Sequence, residues 1–330
     1  MTANKTIYKK SITYSQFISS AMVCFAFALF FRNSHLALDY IKKGLLLCAN
    51  TIIPSLFPFM VLSEIAISAG IGDVIGKYLK RPMSRLFGVS GSGACAFLLG
   101  ILCGFPVGAK SAVTLYDNGK ISKQECEKLI AFCNIPSISF IVNIVGDAVL
   151  GSSKLGWMFW VSVVISSLII GMINNLFCKK KDKKINIEFE ENVSENKFCA
   201  GSFVRAIESS AKSTLIICAY VIFFSSLMGT IKAPLEFFCV PELLRVIICG
   251  FLEMTTGTAE CITVQSLPLR ALFCAFFVGW SGLSVHFQIF SICEGRNLHF
   301  KNYLSMKLLQ GLICVAIVSL FFGFVSWFVS

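Results

Sequence analysis

Charge is scarce in this chain. Asp, Glu, Lys and Arg make up 14% of its 330 residues, 56% are hydrophobic, and the mean hydropathy is +0.77. A soluble globular domain carries about a quarter charged residues, so that class is excluded. Histidine is down to three, and no H-E-x-x-H, G-x-S-x-G or Walker sequence occurs. Zinc hydrolysis, serine hydrolysis and P-loop chemistry therefore have no starting point. Ser284 and His286 are two apart, hence on different faces of a helix. "SGSG" at 90–93 lacks the strand–helix context of a phosphate cradle. Fifteen cysteines are present, but no two form a C-x-x-C pair. A disulfide framework is not expected; most of the thiols sit in apolar runs as small hydrophobes. No enzymatic activity, metal or other cofactor is expected.

What is abundant is the long apolar run. Several approach or exceed the roughly 20 residues that cross a bilayer as a helix, so the expected class is an all-α polytopic membrane protein. The first run is "SQFISSAMVCFAFALFF", preceded by Lys5, Lys9 and Lys10. No small-x-small cleavage site follows it, so it reads as a retained transmembrane helix. The net charge of +11 comes from basic residues flanking the spans. They read as topology signals and lipid headgroup contacts, not as a nucleic-acid surface.

One polar linker, "CKKKDKKINIEFEENVSENK", divides the chain nearly in half and carries six lysines and five acids. The positive-inside rule places it and the N-terminus in the cytosol. The expected domains are 1–43 (N-terminal transmembrane helix and connector), 44–177 (first repeat), 178–200 (charged cytosolic linker) and 201–330 (second repeat). Each repeat reads as a long helix, a short basic or interfacial stretch, a glycine-interrupted segment, a broken helix and a final long helix. Lys77, Lys80, Arg81 and Arg85 read as cytosolic, as do Arg296, Lys301 and Lys307. Satisfying all of these gives three crossings and one re-entrant hairpin per repeat. An odd number inverts the second repeat, as in many secondary transporters.

The interrupted segments carry the candidate site. In "LLGILCGFPVGAKSAVTLYDNGK", Gly104, Phe105, Pro106 and Gly108 break an apolar stretch before Lys110. Such a break is tolerated only where protein or a water-filled cavity surrounds the freed backbone. A helix restarting near Gly108 would aim N–H groups and a partial positive charge inward, an anion site that Lys110 reinforces. The alternative is glycine-mediated packing with Lys110 reaching the surface.

"NIPSIS" adds Asn134, Ser137 and Ser139. "GFLEMTTGTAE" adds Glu253, Thr255, Thr256 and Gly257, and "GWSGLSVHFQ" adds Ser281, Gly282, Ser284 and His286. Glu253 reads as a proton or cation carrier or as a cation's partner, and His286 as a proton relay or a packing residue.

"GFPVGAK", "LYDNGKIS", "AFCN" and "GLSVHFQ" resemble the sporulation integral membrane protein YlbJ family, also called stage V sporulation protein VV. That family sits in the wider set with nucleoside-recognition Gate domains. The resemblance runs over about residues 40–325. It implies two inverted repeats with re-entrant helical hairpins. It also implies export of dipicolinate, a planar dianion, from the mother cell across the outer forespore membrane during sporulation. On that reading Lys110 and helix N-termini face the carboxylates, and Phe105 stacks on the ring. One departure is "NIPSIS", where the proline falls earlier than the family places it. The expected partners are a small-molecule anion and the lipid bilayer. A coupling proton or sodium ion and a homo-oligomer stay open, as do a nucleoside-type solute carrier and a non-transporting scaffold acting through the linker.

Overall fold

A computed structural model describes residues 20, 23–24, 27–28, 30–179, 200–300 and 302–329. Every regular element among them is helical. Among the described residues five helices are long and apolar enough to cross a membrane: Ser34–Ser68, Ser153–Phe177, Ala200–Phe237, Leu267–Cys293 and Tyr303–Phe322. Most of the 15–31 run, expected to form the first transmembrane helix, and most of the charged linker lie outside the described residues.

In chain order, α1 is Ser34–Ser68 and α2 is Ile71–Pro82. They are followed by α3 (Gly93–Cys103), α4 (Val107–Asp117), α5 (Lys123–Phe132), α6 (Phe140–Val149) and α7 (Ser153–Lys179). Beyond the linker come α8 (Ala200–Phe237), α9 (Glu242–Leu252), α10 (Met254–Glu260), α11 (Leu267–Trp280), α12 (Gly282–Cys293) and α13 (Tyr303–Val329).

Lengths decide what each element does. At 1.5 Å per residue, α1 and α8 run to about 50–60 Å, well beyond a hydrocarbon core of about 30 Å. They pack side by side: a Cβ on Gly229 would strike the Tyr40 ring, and one on Gly44 would strike Ser225. The α3 and α9 helices have 11 residues each. At about 16 Å they cannot span, and both turn back as hairpins, α3 onto α4 and α9 onto α10.

The first long helix begins at Ser34, ten residues before the start expected from sequence. "SHLALDYIKKG" is helix, not connector. Its charges explain how: Lys42 and Lys43 are exposed, Asp39 lies near Lys42, and Lys43 covers the Tyr40 ring, so none of them interrupts the buried side.

Local chemistry sets the remaining boundaries. Gly70, left-handed at φ 78°, ends α1, and α2 carries Asp73 in its first turn and Lys80 and Arg81 in its last, matching the helix dipole. A capping box starts α5: Ser122 accepts from the Glu125 backbone N–H, and Glu125 accepts from that of Ser122. The other Glu125 oxygen accepts from Ser90 N, tying α5 to the entry of the first hairpin.

Polar contacts mark two ends of the bundle. At one end Lys120 pairs with Asp73 at 2.9 Å, Arg296 grips Asp117 at 2.8 Å, and His299 N donates to Glu127 at 2.8 Å. The Asp117 carboxylate holds the Arg296 pKa above its ordinary value. At the other end Arg270 donates to the carbonyls of Val264 at 2.9 Å and Val149 at 3.0 Å, and Lys232 pairs with Glu260. The first hairpin enters and leaves at the Asp73–Asp117 end, and the second at the Lys232–Glu260 end. The cysteines of the described residues are free, and most are buried.

Candidate functional site

Four helix breaks meet in pairs inside the bundle. At the tip of the first hairpin, Gly104 adopts φ 80° and Phe105–Pro106 is cis. A Cβ on Gly104 would collide with the backbone of Ser137, which belongs to the break between α5 and α6. Glycine is required there twice over, for its dihedral and for the approach. The second pair has the same form. The Glu253–Met254 turn of the second hairpin lies against Gly282, in the break between α11 and α12. Ser281 and Gly282 are both left-handed, at φ 76° and 75°. For serine that conformation is costly, about 1–3 kcal/mol, and persists because its surroundings impose it.

The two crossings are neighbours. Ile135 from the first break and Met254 from the second hairpin are buried in one apolar cluster, and half-buried Phe105 packs against it.

Other candidate glycines serve the hairpins themselves. Gly108 lies against Gly100 and the Cys133 carbonyl, and Gly257 lies against Gly250. These contacts let the two arms of each hairpin nearly touch, which is the packing role of small residues in membrane helices.

Lys110 does not stand alone at the anion site expected from sequence. Its ammonium lies 3.0 Å from Glu64 of α1, and both side chains are only 12% exposed. Ser209 of α8 bridges them, accepting from Lys110 at 2.7 Å and donating to Glu64 at 2.8 Å. Among the described residues no side chain caps the α4 N-terminus. In the second hairpin Glu253 caps its own helix, accepting from Thr255 N at 3.0 Å and Thr256 N at 2.6 Å. That carboxylate already neutralises the positive helix end, so the second hairpin presents no free N-terminus to an anion.

His286 is fully buried, with Nδ1 2.9 Å from the Tyr303 hydroxyl and its ring edge-on to Trp280 at 4.4 Å. Its Nε2, the Ser281 Oγ and both side-chain polar atoms of Asn134 are buried without a hydrogen-bond partner among the described residues. Ser284 is buried and accepts from Gln288. Ser139 is exposed, accepts from Asn143 at 3.2 Å, and stands apart from this buried group.

Sequence reading placed Lys307 at the cytosolic surface, and the fold corrects that. Lys307 has no exposed surface and donates to the Asn134 carbonyl and to Gln310 Oε1. The error has a physical cause: Lys307 lies only four residues past the start of α13, where a flanking lysine normally sits, but the α12–α13 connection covers that end of the bundle. The signal available was the i, i+3 pair Lys307/Gln310 at the edge of an apolar run. Glu64 and Ser209 also went unnoticed; an acid inside "PFMVLSEIAIS" was the available clue.

Comparison with known proteins adds two findings. Residues 49–151 match the Gate family, described as nucleoside recognition. The chain is 27% identical over 309 residues to the sporulation integral membrane protein YlbJ of Bacillus subtilis (strain 168), covering 84% of this chain and 76% of that protein. No solved structure matches. The resemblance carried by "GFPVGAK" is thus met on both counts: the chain contains a Gate nucleoside-recognition domain and is a distant relative of YlbJ. It is a multi-pass integral membrane protein.

Proposed function

We propose that this Gate-domain membrane protein is a secondary transporter of a small anionic metabolite, with dipicolinate the first substrate to test. On this reading it exports dipicolinate from the mother cell across the outer forespore membrane during sporulation. The observation that carries the proposal is the paired crossing of helix breaks, with buried polar atoms at their centre that no group among the described residues satisfies. Unsatisfied buried polar groups are expensive, and a transport site that binds and releases a polar ligand needs them.

The proposal includes two inverted repeats, 44–177 and 201–330. Its support is the placement of matching elements at opposite ends. The α4–α5 connection lies at the Asp117 end, while its counterpart between α10 and α11 lies beside Val149. The α12–α13 connection returns to Asp117, while its counterpart between α6 and α7 begins beside Val149. Each hairpin is tethered by an ion pair to the last turns of its repeat's first long helix: Lys110 to Glu64, and Glu260 to Lys232. The charges are exchanged between the repeats.

Mechanistically, each ion pair is a latch on one side. Releasing Lys110 from Glu64 frees the first hairpin toward the Asp117 end, and releasing Lys232 from Glu260 frees the second toward the opposite end. Once freed, Lys110 stands beside the uncapped N-terminus of α4, where a substrate carboxylate can replace Glu64. Alternate release exposes the central site to one side at a time.

The test is uptake of labelled dipicolinate into vesicles carrying the wild type or Lys110→Ala, with nucleosides in parallel. Saturable dipicolinate flux, reduced at least about tenfold in the variant, supports the anion reading. The nucleoside-recognition match favours a second reading, a nucleoside-type carrier, and nucleoside flux alone would select it. A folded, inserted protein that moves neither leaves the scaffold reading.

A further inference from the structure

Lys307 plays no part in the latches, yet it is the most completely enclosed cation among the described residues. Its ammonium donates to the Asn134 carbonyl at 2.5 Å and to Gln310 Oε1 at 2.9 Å. Both acceptors are neutral, and among the described residues no carboxylate comes within ion-pair distance of it. An ammonium has three donors and no acceptor, so one N–H remains.

The groups left over nearby are mainly donors as well. The Gln310 Nε2 amide is buried and has no partner among the described residues. Its orientation is fixed by chemistry, because turning the amide would set its NH2 against the ammonium. The Asn134 carboxamide is buried with neither Nδ2 nor Oδ1 paired. A buried charge without an opposite charge is costly in a protein and more so within a membrane. An anion with several lone pairs would satisfy the donors left over here. A metal ion or an organic cation would meet only repulsion.

The place is as informative as the chemistry. Asn134 opens the break that lies over the first hairpin, where the preceding Cys133 carbonyl meets Gly100 and Gly108. Gln310 precedes Gly311, which touches Gly279, two residues before left-handed Ser281. Lys307 is thus held between the two broken helices that the transport reading sets in motion.

We propose that Lys307, with the carboxamides of Asn134 and Gln310, is a carboxylate-binding subsite for the transported substrate, seen here closed. The inference rests on the transporter reading and deepens it. The substrate is Lys307's counter-ion: its carboxylate accepts from the free N–H of Lys307, from Asn134 Nδ2 and from Gln310 Nε2. Entry requires the 133–137 break to lift from the hairpin.

The test compares wild type, Lys307→Met and Asn134→Asp in proteoliposomes. It measures saturable uptake of labelled pyridine-2,6-dicarboxylate and competition by that acid and by its uncharged diamide. Lys307→Met should raise KM for the dicarboxylate about 30-fold or more while leaving competition by the diamide unchanged. Asn134→Asp gives the lysine an internal carboxylate of nearly the same shape. It should match or exceed the wild type in melting temperature and lose the dicarboxylate to the same degree. If Lys307→Met does not fold, Asn134→Asp decides alone. A wild-type KM in either folded variant overturns the subsite and leaves the transporter standing. A wild type that transports neither compound overturns the transporter, and the subsite with it.

Discussion

The Glu64–Lys110 latch lends itself to a quantitative test. At 3.0 Å and an effective dielectric constant of about 20, the Coulomb attraction is about 5.5 kcal/mol. Desolvation offsets much of that, because both side chains are 12% exposed, and a coupling of about 2 kcal/mol should survive. Glu64→Gln alone should cost about 2–3 kcal/mol, because it leaves a largely buried ammonium without an anion. Ser209 cannot compensate, since a hydroxyl supplies a lone pair but no charge. Glu64→Gln combined with Lys110→Met should recover most of the loss. The assay is reversible unfolding in mixed micelles for the two single variants and the double, read as a double-mutant cycle. The same cycle on Lys232 and Glu260, which are 24% and 31% exposed, should give only about 1 kcal/mol. A coupling below about 0.5 kcal/mol for Glu64–Lys110, within the scatter of independent sites, would refute the latch and leave Lys110 as an ordinary surface-screened lysine.

Further outcomes follow from the same geometry. Gly104→Ala should destabilise by about 2 kcal/mol or more, since it adds left-handed strain to a clash with Ser137, and a fall in melting temperature checks it. Glu253→Ala should cost about 1–2 kcal/mol as a lost helix cap, whereas Glu253→Gln should leave the pH dependence of flux unchanged; an altered pH profile would instead assign this residue the carrier role. Asp117→Asn, at a half-exposed pair, should change stability by less than about 1 kcal/mol in the same unfolding assay. Ser139→Ala should leave KM within about twofold, because its hydroxyl faces outward beside Asn143.

Much of the architecture was legible before the fold. Hydropathy located the long helices because no other structure hides its backbone from lipid. "CGFPVG", "NIPS" and "GWSG" marked breaks because glycine and proline cannot continue an α-helix without loss. The break at Glu253 was less legible. Its turn holds neither glycine nor proline, and the glycines beside it, Gly250 and Gly257, proved to be packing contacts within the arms. The 34–43 segment was misread because charges at i, i+3 and i+4 resemble a polar connector, although on one exposed face they cost the helix little.

By itself the sequence determined a helical membrane protein, the order of its elements, the positions of most breaks and the resemblance to a Gate-domain family, since all of these depend on local composition and spacing. Only the tertiary structure decided which charges meet. Glu64 finds Lys110 and Ser209 across gaps of 46 and 145 residues, figures that no local pattern carries. It also decided that Lys307, spaced like a surface anchor, is sealed beside Asn134 and Gln310. Burial and charge pairing depend on the path of the whole chain, and a lysine's cost or use is set by what surrounds it.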